Sequence, residues 1–266
     1  MKRKFLYILI CSILSQSCSI ITFTQSEKRA KVEQSIQLSD DCKLTATGSI
    51  FMNFAGIIKT DFSPASFKIE YQDKLIYLDP IVIEDTTKAD YIFITHAHSD
   101  HFSMADIEKL ANSKTLIIGP KPVVKKLKDY QVKVAKVGEG FSINNFQCDV
   151  IASYNIKRGF FHSPLHPKSD KNVGYVLYCD SVKIYTAGDT DFIPEMSDLK
   201  NITVALVPIG VGKTAMNPVT AAEAVNVIKP LIAIPIHYEL GNNEELGFRK
   251  LVDTKIEVKI LTLYDK

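Results

Sequence analysis

Short apolar runs separated by turn-forming residues dominate the chain from residue 44 onward. The segments 66–71 and 74–79 flank a Gln-Asp pair, and apolar and polar residues alternate in the first of them as in a β-hairpin. The segments 173–178 and 182–188 flank Cys-Asp-Ser and predict a second hairpin. Further buried strands are predicted at 91–95, 114–119, 202–210, 231–238 and 255–263.

Helical patterns lie between these strands. Ser103, with Asp106 three residues later, is expected to cap a helix after the first buried strand. Thr220 and Glu223 have the spacing of a capping box, so a second helix is expected to begin there and to end before Pro230. Hairpins and buried strands interspersed with helices predict a mixed α/β domain built in layers.

The lysine-rich segment 121–136 raises the question of a nucleic-acid partner. Within it, Val123, Val124, Leu127 and Tyr130 fall at helical spacing, which predicts an amphipathic helix with a solvated lysine face. The whole chain has a formal net charge of +2 and 23% charged residues, a balance that demands no acidic partner. We therefore expect that the protein does not bind nucleic acid.

The N-terminal segment has the layout of an export signal, with basic residues at 2–4, an apolar run at 5–14 and small residues before Cys18. The apolar run is too short to cross the about 30 Å hydrocarbon core of a bilayer. Cys18 after Ser17 resembles the acylated cysteine of a bacterial lipoprotein. We expect export to the bacterial cell envelope and a lipid anchor at Cys18, with a plain cleaved signal or an uncleaved anchor as the alternatives.

The domain organisation follows from this reading of the N-terminus. Residues 1–18 are predicted to be the lipoprotein-type signal, residues 19–43 a polar tether and residues 44–266 the folded domain. Beyond the signal, an odd number of cysteines without close spacing argues against a disulfide framework and a cysteine zinc cluster. The sequence leaves open which pair would join in an oxidising compartment: these cysteines are Cys42, Cys148 and Cys179.

Half of the six histidines fall close together, in the stretch FITHAHSDHFS at 93–103. The stretch follows a predicted buried strand, and Asp189 and His237 follow two others. Loops on rigid strands are where ligands bind most often, and imidazole and carboxylate groups suit zinc, manganese or iron. The residues that are expected to share such a site are His96, His98, Asp100, His101, Asp189 and His237.

The motif THAHSDH, together with AGDTD and PIHYE farther along, resembles the signature of the metallo-β-lactamase superfamily. Asp79 in YLDP matches the aspartate that braces the metal loop in that superfamily. The resemblance spans about residues 45–240 and implies a four-layer αββα sandwich with a dinuclear site at one edge of the paired sheets. The segments IASYN, HPKSDKNVGYVL and IYTAGDTDFIPEM are similar to a bacterial branch that includes ascorbate-phosphate lactonases and N-acyl-phosphatidylethanolamine phospholipases.

The resemblance also implies how the ligands divide. His96 and His98 would belong to one metal ion, Asp189 would bridge, and the second ion would be held by Asp100, His101 and His237. Two divalent ions, zinc first and manganese or iron as alternatives, would clamp a hydroxide that attacks an ester-type bond in a phosphodiester, a lactone or a related compound. Asp100 and His101 are the predicted catalytic residues, and a small or lipid-like molecule is the expected substrate.

Two other functions remain open from the sequence. A non-catalytic metal-binding or scaffold lipoprotein of the envelope would keep the fold, and nucleases also occur in the superfamily. A complete ligand set favours the enzyme, because a degenerate member would be free to lose ligands.

The third ligand of the first metal is the remaining question. The predicted strand 148–154 ends at Asn155, where most members of the superfamily place a histidine, and an amide oxygen is a poor zinc ligand. Only His162 and His166 are left among the histidines. Because HPKSDKNVGYVL resembles the branch's own motif, we expect His166 to be the ligand and His162 to be the second choice. Asn155 would then orient the loop or a substrate.

Overall fold

The computed structural model describes residues 21–28, 34–143, 146–156, 164–210 and 214–261. Its first strands are β1 (Ile21–Gln25), β2 (Gln34–Ser39), β3 (Cys42–Ala46), β4 (Ile50–Phe54), β5 (Ile58–Ser63), β6 (Phe67–Tyr71), β7 (Lys74–Leu78), β8 (Tyr91–Phe93), β9 (Leu116–Gly119) and β10 (Gln131–Val134). The later strands are β11 (Gly140–Ile143), β12 (Phe146–Ala152), β13 (Val173–Cys179), β14 (Val182–Thr186), β15 (Val204–Pro208), β16 (Ile232–Ile236), β17 (Tyr238–Glu239) and β18 (Glu257–Val258). The α-helices are α1 (Met104–Leu110), α2 (Lys121–Val124), α3 (Pro218–Ile228) and α4 (Glu244–Leu251).

Two seven-stranded sheets face each other across the main core. The first has the order β10-β9-β8-β7-β6-β3-β2, and the second has the order β11-β12-β13-β14-β15-β16-β18. Side chains from both sheets interleave between them, as where the rings of Phe93 and Tyr175 meet edge to face at 5.1 Å. Because successive strand residues point to opposite faces, each sheet also presents apolar residues outward.

Helices cover both outward faces. Ile107 of α1 packs with Ile92 and Ile117 on the first sheet, and Val225 of α3 packs with Ala205 on the second. The layers therefore run helix, sheet, sheet, helix, which confirms the predicted αββα sandwich. Among the described residues, no helix combines the length and the apolar character needed to cross a membrane.

A third, small sheet lies where the chain leaves the second large sheet. Its order is β1-β4-β5-β17, and β17 begins directly after His237. One of its faces joins a small apolar cluster built around Ile50, Phe62 and Ile81. This sheet therefore connects the N-terminal strand β1 to the strand ends where the sequence places metal ligands.

The predicted tether at 19–43 is wrong for the residues that the structure describes. β1 pairs with β4, and β2 pairs with β3 at the edge of the first large sheet. Ile36 and Leu38 alternate with polar residues in β2 and pack on the core between the sheets. The segment is polar because an edge strand has one solvated face, and the described part of the fold already includes β1 from Ile21.

The helices predicted after Ser103 and Thr220 are both present, but the second begins earlier than predicted. The side chain of Ser103 caps α1 by accepting a hydrogen bond from the Asp106 backbone N–H at 3.3 Å, as predicted. Helix α3 ends before Pro230 but begins three residues earlier than predicted, because Asn217 forms the capping box with Thr220. Asparagine followed by proline is a stronger start than Thr220, which becomes the third residue of the helix.

The lysine-rich segment forms a shorter helix than predicted. Helix α2 has only four residues, and Leu127 is buried after it in a turn. Residues 131–134 then pair in parallel with β9 as strand β10. Pairing of an alternating segment with an open sheet edge has overridden the weak helical pattern here.

The three cysteines beyond the signal are free and buried. Cys42 and Cys179 lie close enough to share a hydrogen bond, while the Cys148 thiol faces the backbone oxygen of Asp149 at 3.6 Å. The residues that the structure describes therefore contain no disulfide. The strand predicted at 255–263 is reduced to β18 within the residues described.

Candidate metal centre

The predicted ligands lie at the carboxyl ends of strands that run side by side. The loop at 96–101 follows β8, Asp189 follows β14 and His237 follows β16. β14, β15 and β16 are mutually parallel, so their carboxyl ends meet at one edge of the second sheet. In the loop, the backbone N–H groups of His101 and Phe102 both bond to the carbonyl of His98, at 3.1 and 2.8 Å, which makes a tight turn.

His237 occupies the corner between two sheets. Its φ is 54°, a left-handed conformation that is strained for a residue with a side chain. This conformation takes the chain from β16 in the second large sheet into β17, which pairs with β5. The corner leaves the His237 ring buried among the other ligands. Backbone strain of this kind is typical of functional residues.

Seven side chains meet at this edge in three overlapping groups of potential metal ligands. His96, His98 and His166 form one group, which we call the histidine group. Asp100, His101 and His237 form another, which we call the acidic group. The third group joins them and consists of His96, His101 and Asp189. Every residue that was predicted as a metal ligand is present, and Asp189 lies between the other two groups.

Hydrogen bonds fix the tautomer of His96. The Thr95 hydroxyl lies 2.7 Å from Asp79 Oδ2, and because a carboxylate can only accept, the hydroxyl donates its one hydrogen there. At 3.1 Å, Nδ1 of His96 must then donate to the Thr95 oxygen. Nε2 of His96 is left with a free lone pair that is buried and has no hydrogen-bond partner in the described part of the chain. Such an atom is costly unless a cation binds it.

Asp79 fixes His101 in the same way. Nδ1 of His101 lies 2.8 Å from Asp79 Oδ2, and the backbone N–H of Thr95 donates to the other oxygen of Asp79 at 2.7 Å. Nε2 of His101 therefore points at the carboxylate of Asp189, 3.3 Å away, and at that of Asp100, 3.9 Å away. A carboxylate behind a metal-binding histidine is a common support of metal sites because it orients the ring.

The acidic group is closed by His237. Its Nε2 lies 3.1 Å from Asp100 Oδ2 and 3.5 Å from Asp189 Oδ2. The ring of Phe62 packs edge to face on that of His237 at 6.0 Å and walls this side of the site with apolar surface. The nitrogen is thus held toward two carboxylates.

His166 reaches the site from a loop, and Asn155 secures that loop. The Asn155 side-chain oxygen accepts from the backbone N–H of His166 at 3.0 Å, and its backbone N–H donates to the His166 carbonyl at 2.8 Å. The amide nitrogen of Asn155 also donates to the carbonyl of Thr214 at 2.8 Å. The His166 ring then lies with Nε2 3.1 Å from Nδ1 of His98. Asn155 therefore holds the loop in place, which is one of the two roles predicted for it. Its side-chain oxygen is engaged by the His166 backbone N–H.

The two groups differ in the pKa values of their histidines. Burial, followed by the neighbouring His101, holds the pKa of His96 well below its ordinary value, and burial also lowers the pKa of His166. Burial acts in the same direction on His101, but the carboxylates, led by Asp189, outweigh it and raise its pKa well above the ordinary value. Burial would raise the pKa of Asp189, yet the nearby histidines, led by His237, hold it well below the ordinary range. The pKa values of His96 and His166 in the histidine group are therefore lowered, whereas the carboxylates around the acidic group raise those of His101 and His237.

The donors present fit divalent ions of the zinc, manganese or iron type. Imidazole nitrogens and carboxylate oxygens are the ligands that these ions take, and the buried Nε2 atoms of His96 and His101 have no hydrogen-bond partner within the described part of the chain. His98 is exposed and Asp100 is partly exposed, whereas His96, His166 and His237 are buried. The cluster thus has a closed floor and one open side, as a catalytic rather than a structural metal site requires.

Sequence reasoning missed the part of Thr95. Its hydroxyl and backbone N–H bind both oxygens of Asp79, and the same hydroxyl sets the His96 tautomer. The only signal in the sequence was that Thr95 directly precedes His96, and that position alone does not indicate a role in the site. His162, the second choice for the third ligand, lies outside the described residues.

The comparison with known protein families agrees with the geometry of the site. The family model described as a β-lactamase superfamily domain matches residues 60–237, which is more than half of the chain. The matched range includes all seven clustered residues. The chain belongs to the metallo-β-lactamase superfamily, as its motifs predicted. The narrower likeness to lactonases and phospholipases stays a prediction.

Among its relatives, a UPF0173 metal-dependent hydrolase from Thermococcus onnurineus is 33% identical over 217 residues, which cover 74% of this chain and 92% of the relative. The solved structure of a candidate metal-dependent hydrolase from Parabacteroides distasonis superposes with a TM-score of 0.68 at 30% identity, covering 87% of this chain and 99% of that one. Igni18, a metallo hydrolase from Ignicoccus hospitalis, gives a TM-score of 0.60 over 77% of this chain and 94% of its own. At 20% identity that last match shows the fold alone.

Proposed function

We propose that this protein is a metal-dependent hydrolase that uses a dinuclear centre to cleave an ester-type bond. The observation that carries the proposal is the pair of ligand groups joined by Asp189 and open to solvent on one side. Relatives that share at least 30% identity are named metal-dependent hydrolases, which supports hydrolysis as the reaction type. When bound, two divalent ions would supply Lewis acidity and lower the pKa of water toward about 7.

Asp100 is the group best placed to handle a proton. Its side chain is 22% exposed, whereas that of Asp189 is 3% exposed, so Asp100 faces the open side of the site. Burial would raise the pKa of Asp100, but His101 and His237 outweigh burial and keep the carboxyl ionised. An ionised carboxylate at the mouth can accept a hydrogen bond from an attacking water and orient it toward a substrate. His101, held by Asp79, fixes the position of Asp100 from behind.

The fold does not choose the substrate, since one fold carries many reactions. A direct test assays purified protein, loaded with zinc, manganese or iron, against phosphodiesters, lactones and thioesters. We expect hydrolysis of at least one class, abolished by chelation and restored by metal. Asp100→Asn should lose most of that activity, and Ser99→Ala, which changes the exposed neighbour and no clustered residue, is the matched control.

Two results would contradict the proposal. Full metal content with no hydrolysis of any class would favour a metal-binding or scaffold protein, and activity that survives both chelation and Asp100→Asn would place the chemistry elsewhere. Cleavage of RNA or DNA alone would favour the nuclease alternative.

Export and acylation at Cys18 are a separate proposal, supported by the order of basic, apolar and small residues at 1–18. Labelling cells with a fatty-acid analogue should mark the wild-type protein and leave Cys18→Ala unlabelled. Equal labelling of both proteins, or a protein that keeps Met1 in the cytoplasm, would contradict this proposal.

A further inference from the structure

The β4–β5 hairpin ends in an apolar tip that projects into solvent. Phe54 is 38% exposed, Ile57 is 83% exposed and Ile58 is 52% exposed. The turn is well formed, because Ile57 donates its backbone N–H to the carbonyl of Phe54 at 2.9 Å and Gly56 adopts the positive φ of 73° that the turn requires. The structure therefore holds three large apolar side chains in water at one fixed point.

The start of the described chain lies at the same tip. In the β1–β4 register, Ile21 pairs with Phe54, at the end of β4 nearest the turn. Cys18 precedes Ile21 by only three residues, and three residues span at most about 11 Å. Any anchor at Cys18 must therefore emerge within about 11 Å of Ile21, beside the exposed Phe54.

We propose that the tip formed by Phe54, Ile57 and Ile58 inserts into the lipid bilayer that holds the chain through Cys18. The proposal rests on the predicted export and acylation and is independent of whether the protein hydrolyses an ester. Large apolar side chains at a headgroup boundary gain the free energy of leaving water. The exposed Lys59 next to the tip suits the same boundary, because its ammonium can reach anionic headgroups.

A second copy of the chain fits this tip less well than a bilayer does. Stable protein interfaces bury about 800 Å² on each partner, and three partly exposed side chains at a hairpin turn fall well short of that area. A bilayer needs no shape complementarity and is already within reach of the anchor. Leu231, which is 68% exposed, lies at the amino end of β16, whereas β17, which joins the small sheet that contains β1, follows the carboxyl end of that strand.

The insertion would set the height of the metal centre above the membrane. Ile58 and Phe62 are separated by four residues of β5, or about 14 Å along a strand. The Phe62 ring packs on the His237 ring at 6.0 Å, so the site lies on the order of 20 Å from the tip.

Because the chain contains no tryptophan, a single introduced tryptophan reports on the tip alone. The test places the full acylated protein in vesicles of phosphatidylethanolamine and phosphatidylglycerol, with and without lipids brominated in the acyl chains. Ile57→Trp and Phe54→Trp are the probes, and Leu231→Trp is the matched control. We expect emission of the tip probes to shift to the blue and to be quenched by brominated lipid, while the control stays unshifted and unquenched.

A second measurement uses removal of the side chains. Ile57→Ser/Ile58→Ser should be released from the same vesicles by dilution about tenfold more readily than wild type, whereas Leu231→Ser should match wild type. Tip probes that remain unshifted and unquenched would overturn the proposal. So would blue-shifted emission that brominated lipid fails to quench, because the tip would then be covered by a second copy or another protein.

Discussion

The histidine group and the acidic group lie side by side, but they are supported in different ways. Each group takes two residues from the loop at 96–101, and the groups differ in the third. His237 of the acidic group directly follows β16, and His101 in that group is braced from behind by Asp79. The histidine group instead depends on Asn155 to hold His166. The third residue of one group is therefore fixed by a strand end, and that of the other by a loop contact.

The two groups also differ in their donor atoms, because the histidine group offers three imidazole nitrogens and the acidic group adds a carboxylate oxygen. Neutral imidazoles hold a borderline ion such as zinc well, whereas carboxylate oxygen ligands also accommodate harder ions such as manganese. Asp189 faces His101 and His237 and also belongs to the group that contains His96. Substitutions at the site should therefore be of two kinds: those that remove metal from both groups and those that remove metal from one group.

Asp189→Ala is expected to have the largest effect, because it removes the carboxylate that both groups share. Metal content should fall to nearly zero, and activity should fall by more than the about 10–100-fold typical of changes behind a metal ligand. Elemental analysis of protein purified without chelator measures the first effect. Asp191→Asn is the matched control, since Asp191 accepts from the Ile156 N–H and belongs to no ligand group. Retention of both ions by Asp189→Ala would refute the bridging position.

His166→Ala is expected to empty the histidine group and leave the acidic group filled. Metal content should drop by about one ion per chain, with loss of hydrolysis because two ions act together. His162→Ala should keep metal and activity. If the two variants behave in the opposite way, the third ligand is His162, and if neither loses metal, the first ion is held by His96 and His98 with water.

Asn155→Ala and Asp79→Asn should have smaller effects, the first on the histidine group and the second chiefly on the acidic group. Each should weaken metal retention by about 10–100-fold, because neither residue is itself a ligand. A titration with increasing chelator concentration, in which the release of each metal ion is measured separately, distinguishes the two variants. Asn155→Asp should partly restore retention, because its oxygen can still accept from the His166 N–H. Loss of the same ion in both variants would erase the distinction between the groups.

The sequence pattern predicted six of the seven clustered residues, and only His166 depended on a resemblance. A polar residue directly after a buried apolar run marks a strand end, and Asp189 and His237 carry that mark. His166 carries no such mark, because it lies eleven residues beyond Asn155 and its position depends on tertiary hydrogen bonds. Spacing along the chain does not encode a contact of that kind.

The misjudged segments have a related cause. The polar sequence of β1 and β2 predicts a tether because edge strands keep a solvated face, and only pairing with β4 and β3 decides their structure. Helix α2 was predicted too long because its weak periodicity competes with an open strand beside it. Thr95 was overlooked because its role depends on Asp79, sixteen residues away.

Two metal ions are expected to occupy the neighbouring groups at one sheet edge. Anomalous diffraction from crystals of the metal-loaded protein measures this most directly, because it locates each ion by element. We expect two peaks about 3.5–4 Å apart, one among His96, His98 and His166 and the other among Asp100, His101 and His237. A single peak, or peaks away from these two groups, would contradict this expectation.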